Sequence, residues 1–405
     1  MSRIQFGTYW PAYWRIRITG CVNLSRLTDL KPEDLALYVH EYTHFLQEIT
    51  STSGLNFTWN ILDRFRQILA AVQHGGDEIN LPLKGPTVDE QLNYFRALRP
   101  VIGSRELDHD NGTYTVRSVT LPPNRLIEEL TDGHKIPEVH LALENREGRQ
   151  REYIFGSDAI QESMAQLLEQ RIDGHHATGQ FPYIAAKRLA EYLCPAVAGK
   201  SEFLFAACDA ALMSPYPGWH FYQLLMEMER TRAMPERAEE IYRFAFALFE
   251  RDHWMVLESY EKAVESLSHV VAELFGDRPE FHPTKTWFIH VLRSAFQLRR
   301  DNPYLMLDLY RDKIFGPALN WVVEEVGFPE VMNGCNERWF SAPLALKGLE
   351  AGIEPIHLWA IWQIHDLLLQ GIPPVNCLLS ETGLHNSFAR KQSWQKMNWS
   401  GSRCL

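Results

Sequence analysis

His40-Glu41-Tyr42-Thr43-His44 places two histidines four positions apart with a glutamate between them. An α-helix turns once per 3.6 residues, so positions 40 and 44 stack on one face. Two imidazoles in that relation can hold one metal ion. Glu41, one position on, can reach a water on the same ion. Two nitrogen ligands, an open coordination position and a general base are the parts of a metal-dependent hydrolase. The bland alternative is two histidines satisfied by hydrogen bonds on an ordinary helix. With 16 His in 405 residues, a chance H-E-x-x-H has a probability of roughly a few per cent.

The elements around the motif support the first reading. Pro32, Glu33 and Asp34 look like a helix first turn, where proline needs no donor and acids meet the positive end of the dipole. Leu35, Leu37, Val39, Phe45, Leu46 and Ile49 then supply apolar surface, and Gly54 suits a C-terminal stop. The predicted helix runs from Pro32 to Ser53. Tyr38, Val39, Tyr42, Thr43, Phe45 and Leu46 are all uncharged, as a buried metal-binding helix requires.

A site of this kind needs a third protein ligand from another element. The segment from Gly156 to Glu169 reads as a second helix, with Ser157 or Asp158 as its cap. Ser163 and Ala165, small residues beside Glu162, allow close packing against a neighbouring helix. In these two helices the chain resembles the gluzincin branch of the zinc metallopeptidases, in which a Glu on a later helix completes a His-His-Glu set. The resemblance implies that His40, His44 and Glu162 bind Zn2+ and that Glu41 activates water. It covers about a tenth of the chain. The chain departs from the family pattern four residues after the ligand Glu, where Gln166 replaces an Asp that orients a histidine. The next carboxylate is Glu169.

Amide hydrolysis also requires a donor for the developing oxyanion. His175, His176, Tyr183, Tyr216, His220 and Tyr222 all follow the third ligand. Tyr216 and His220, in the rigid turn Ser214-Pro215-Tyr216-Pro217-Gly218-Trp219-His220, are the first choices. The expected function is therefore a zinc-dependent peptidase acting on a protein or peptide substrate. Two alternatives use the same residues. Glu41-x-x-His44 together with Glu354-Pro355-Ile356-His357 would make the paired motifs of a helical-bundle di-iron protein. A non-catalytic, metal-stabilised binding protein is the other.

Composition excludes several classes. Hydrophobic content of 45% and charged content of 22% are those of a globular chain. A net charge of −11 argues against nucleic acid or an anionic membrane as the main partner, since phosphate binding needs clustered Lys and Arg. Arg15 and Arg17, and Arg293, Arg299 and Arg300, read as small solvated basic groups. No stretch reaches the roughly 18 apolar residues of a membrane span. Cys21, Cys194, Cys208, Cys335, Cys377 and Cys404 show no paired spacing and, with no signal peptide after Met1, read as reduced thiols of a cytoplasmic protein. Cys377, His385 and Cys404 match no compact zinc module.

The expected architecture is α+β and mostly helical, with a small antiparallel sheet in the N-terminal half. Tyr13 to Thr19 alternates as a half-buried strand, with Arg15 and Arg17 outward. Helices follow from Phe57 to Val72 and from Val88 to Leu98. Strands are expected at Thr113 to Leu121, Glu138 to Leu143 and Glu152 to Phe155, with a polar turn at Glu144 to Gly148. Beyond Phe181 the pattern is almost wholly helical. Residues 1–175 would form a zincin-like catalytic region with a β-containing insertion at about 75–156. Residues 176–405 would form a helical region that completes the cleft or offers a surface to a regulatory protein partner.

Overall fold

The computed structural model describes residues 7–24, 27–74, 98–104, 113–124, 128, 136–174, 181–232, 235–251, 254–312 and 316–370. The strands are β1 (Gly7–Trp10), β2 (Arg15–Ile18), β3 (Tyr114–Thr120), β4 (Val139–Asn145), β5 (Gln150–Phe155), β6 (Phe328–Met332) and β7 (Arg338–Ser341). The helices are α1 (Pro32–Thr50), α2 (Thr52–His74), α3 (Ser157–Asp173), α4 (Ala185–Leu193), α5 (Pro195–Ala198), α6 (Ser201–Leu212) and α7 (Pro217–Thr231). They continue as α8 (Ala238–Arg251), α9 (Val256–Phe275), α10 (His282–Asp301), α11 (Leu305–Arg311), α12 (Pro317–Val326) and α13 (Ile356–Gln370). The fold is α+β and mostly helical, as expected. Of the predicted Val88 to Leu98 helix, all but Leu98 lies outside the described residues, as do His175, His176, Cys377, His385 and Cys404.

Helix α1 begins as its sequence dictates, with Pro32 in the first turn and Glu33 and Asp34 beside it. Its end differs from expectation. Ser51 turns extended (φ −132°, ψ 150°), and α2 starts immediately after it. The Ser51 hydroxyl donates to Gln47 O at 2.6 Å and accepts from Gly54 N–H at 3.1 Å, so one side chain closes α1 and caps α2. Gly54 is thus not the stop but a residue of the second helix's first turn. A Cβ there would lie 2.4 Å from Glu48 Cα, so only glycine lets the corner close this tightly.

The expected antiparallel sheet is present in the order β3-β4-β5, with Val139 opposite Phe155 and Leu143 opposite Val116. A second sheet was not expected. It has the order β1-β2-β6-β7, and β2 pairs in parallel with β6 through Arg15↔Glu330, Ile16↔Val331 and Arg17↔Met332. The region beyond Phe181 is therefore not wholly helical. Strands β6 and β7 are short, and β6 draws its partner from the other end of the chain.

That pairing overturns two further expectations. Arg15 faces inward, 3% exposed, with its Nε 3.1 Å from Glu330 Oε2 and its guanidinium 4.3 Å above the Trp359 ring. Alternation alone had placed it in solvent, but helix α13 covers that face. Cys21 and Cys335, 314 residues apart, are joined in a disulfide at the β2 end and the β6–β7 turn. The reading of reduced thiols holds for Cys194 and Cys208, which are free and buried.

One apolar cluster runs through both sheets and the helices, from Trp14 and Phe45 through Phe205 and Phe249 to Leu368. Trp14 stacks on Phe288 with ring centroids 3.8 Å apart. Helix α1 lies inside this cluster, packed against α2, α3, α10 and strand β1. The α1–α3 contact positions the candidate site, while the buried Ser163 turns its hydroxyl towards Pro182 and Ala186. Among the described residues no helix is long and apolar enough to cross a membrane.

Candidate metal centre

His40 and His44 project from the same face of α1, their ring centroids 5.0 Å apart and their planes at 77°. Glu162 reaches them from α3. Its Oε2 lies 3.2 Å from His40 Nε2 and 3.5 Å from His44 Nε2. Among the described residues, these three form the one group of His, Cys, Asp or Glu side chains arranged to hold a metal, with ligand atoms within 4.8 Å of one another.

The far side of each imidazole is also held. His40 Nδ1 sits 3.0 Å from Glu169 Oε2, and His44 Nδ1 sits 2.9 Å from Gln47 Oε1. Gln47 is fixed in turn, donating from Nε2 to Gln161 O on α3 at 3.0 Å. Both partners of the Nδ1 atoms are oxygen acceptors, which assigns the ring proton to Nδ1 and leaves the Nε2 lone pair free. Both free lone pairs therefore point at one carboxylate oxygen. Three acceptors crowded in this way repel one another unless a cation or a proton lies between them.

The spacing suits a four-coordinate metal ion. Nitrogen and oxygen ligands at about 2.0–2.1 Å in a tetrahedron stand roughly 3.3 Å apart, and the observed separations bracket that value. The donor chemistry also fits, with two imidazoles and one carboxylate and a hydrogen-bonding partner behind each histidine. The oxygen behind His40 thus comes from Glu169, not from Gln166 at the position one turn after Glu162. Glu169 lies two turns beyond Glu162 rather than one, and α3 packs closely enough on α1 for the longer reach.

Electrostatics reinforce the point. Burial pulls the His40 imidazole down, but Glu162 and Glu169 outweigh it and raise its pKa to about 10. His44 is raised in the same way, with burial opposing and Glu162 prevailing. For Glu162, burial raises the carboxyl, yet the two histidines carry it well below the usual carboxylate range. In the absence of metal, protons occupy the place a cation would take. Glu41 is only 6% exposed, and burial pushes its carboxyl upward against the pull of His40 and His44. A carboxylate with a raised pKa is suited to accept a proton and hand it on.

No family model, curated protein or solved structure matches the chain. The site's own geometry therefore carries the functional reading.

The remaining predicted residues are placed as follows. His220 is buried on α7, its Nδ1 paired with Ser214 Oγ and its ring stacked on Phe249 at 4.4 Å. Tyr216 is the residue before the first turn of α7, donates its backbone N–H to Ser214 Oγ at 2.9 Å, and lines a small cleft with Val101, Phe155 and Trp219. Tyr222 stacks on Trp219. Of the predicted donors, Tyr183 is the one with its ring beside a motif histidine, edge-on to His40 at 6.0 Å. His357 of the second Glu-x-x-His motif hydrogen-bonds with Thr284 at 3.1 Å and packs on Phe281, while the Glu354 side chain is 53% exposed. That motif belongs to the α10–α13 contact, not to His44. Sequence reasoning missed Gln47, although its position three residues after His44 places it on the same helix face.

Proposed function

We propose that the chain is a zinc-dependent peptidase, with His40, His44 and Glu162 as metal ligands and Glu41 as general base. The observation that carries this reading is the convergence of two Nε2 lone pairs on Glu162 Oε2, with Glu169 and Gln47 holding the opposite ring edges. When bound, the metal would supply Lewis acidity that acidifies a water and polarises a carbonyl. The rest falls to the protein. Glu169 and Gln47 keep the Nδ1 protons in place, so both rings stay oriented. Glu41 accepts a proton from the attacking water and passes it to the departing amine nitrogen. Tyr183, beside His40, is the donor best placed to face the developing oxyanion, in preference to Tyr216 and His220.

The substrate that follows from this reading is a protein or peptide, whose amide carbonyl an activated water can attack. Glu41→Gln tests the assignment. With zinc bound, the variant should retain its metal and fold while cleavage of casein falls by about 10²–10⁴-fold, the usual scale for general-base catalysis. Full activity in that variant would remove Glu41 from the mechanism.

A further inference from the structure

Glu48 lies two turns beyond His40 on α1, 3% exposed, and takes no part in the metal group. It is nonetheless the acceptor for four separate residues. Tyr9 donates its hydroxyl at 2.6 Å, Ala12 its backbone N–H at 3.0 Å, Trp14 its indole N–H at 2.9 Å and Thr58 its hydroxyl at 2.5 Å. Three of these belong to the β1–β2 hairpin. Ala12 and Trp14 hold left-handed backbone, φ 66° and 47°, which non-glycine residues rarely adopt. Strain of this kind persists only where surrounding contacts fix it, and here the contacts end on one carboxylate.

What the hairpin carries explains the arrangement. Tyr9 stacks over His44, centroids 6.5 Å apart and planes at 18°. Gly7, at the start of edge strand β1, lies against Glu41 so closely that a Cβ would fall 2.3 Å from Glu41 Oε1. The β1 backbone thus packs directly against the proposed base.

We propose that Glu48 is a positioning residue: by gathering Tyr9, Ala12 and Trp14 it docks β1 over Glu41 and His44 and fixes the wall against which the Glu41 carboxylate is oriented. The inference rests on the peptidase reading for its catalytic meaning, though the docking itself does not. Glu48→Gln presents an amide N–H₂ to a ring of donors, so the hairpin should loosen. Gly7→Ala leaves Glu48 intact and pushes β1 off Glu41 directly, which covers the case in which the Gln variant fails to fold.

The test combines carbodiimide–amine labelling of Glu41 in the full-length metal-free protein, the visible spectrum of the Co2+-loaded protein, and kcat and KM for casein hydrolysis with zinc. In both variants, Glu41 labelling should rise about tenfold, the worth of a lost hydrogen bond, while the Co2+ spectrum stays that of the wild type. The kcat should drop about 10²-fold with KM little changed, as for a misplaced catalytic group. Wild-type labelling in both variants would overturn the inference. The Glu41→Gln control separates the two ideas: if that variant cleaves as fast as wild type, the peptidase reading falls while the labelling still decides whether Glu48 docks the hairpin.

Discussion

Two of the ionic clusters buried among the described residues are built on opposite plans. In the helical part, Arg299 Nη2 meets both oxygens of Asp209 at 2.7 Å, and Tyr242 donates its hydroxyl to the same carboxylate at 2.6 Å. One positive charge faces one negative charge, with side chains 1% and 2% exposed. At the α1–α3 contact, three carboxylates (Glu41, Glu162 and Glu169) surround two imidazoles that are neutral unless protonated. The first cluster is balanced and closed. The second sets three carboxylates beside two imidazoles whose charge depends on a bound proton or metal, and it opens outward through Glu162 and Glu169, each about 30% exposed. A balanced cluster serves the fold, whereas a buried excess of acceptors calls for a cation from outside.

The comparison would break first at the balanced cluster. Arg299→Met leaves Asp209 buried with its charge unpaired and should cost about 3–5 kcal/mol in denaturant unfolding. Adding Asp209→Leu should recover most of that loss, because removing both partners of a buried pair is often close to neutral. Zinc content should be unchanged throughout. If the double variant remained as unstable as the single one, the cluster would be more than a self-compensating pair.

The unbalanced cluster should respond in metal affinity instead. Glu169→Ala removes the acceptor behind His40 and should weaken zinc binding by about 10–100-fold in a chelator competition. Gln47→Ala should follow in the same direction with a smaller effect, since a neutral amide polarises His44 less. Equal affinity in wild type and Glu169→Ala would show that the ring orientation does not depend on this carboxylate.

Stability against pH should sharpen the contrast further. The folded-state pKa of His40 is raised, from an unfolded value near 6.5 to about 10. Its contribution to the metal-free protein is therefore complete below about pH 6.5 and is lost as pH climbs towards about 10. The limiting slope for one proton is about 1.4 kcal/mol per pH unit. Thermal melts of the metal-free protein should thus fall across that window. Zinc should reverse the trend, because binding displaces the protons and strengthens as pH rises. The Asp209–Arg299 pair adds no slope there, as a guanidinium stays charged. The smallest effect belongs to fully exposed pairs such as Lys262–Glu258 on α9. Lys262→Ala should leave the melting temperature where it was.

How much of this was legible in the sequence depends on range. The His40–His44 pair and the Glu162 helix follow from helical period and first-turn residues, which are local, although the N-cap of the second helix is Gly156 and not Ser157 or Asp158. The three-stranded sheet was equally readable, as were most helices beyond Phe181, because each carries its own apolar pattern. What escaped was set by contacts between distant segments. The Phe328–Met332 strand is short and contains a proline, and its pairing with Arg15–Arg17 on one side and β7 on the other makes it a strand. The Cys21–Cys335 bond and the burial of Arg15 follow from that same pairing. At Glu48 nothing local in the sequence reveals four donors converging on one carboxylate. Glu169 was visible as the next carboxylate after Gln166, but its link to His40 needed the packing of α3 on α1.

The most direct test of the central claim is elemental analysis of the purified full-length protein after reconstitution with Zn2+ and desalting, with His44→Ala beside it. The account predicts about one zinc per chain in the wild type and essentially none in the variant. A wild type that retains no zinc, or a variant that retains as much as the wild type, would contradict it.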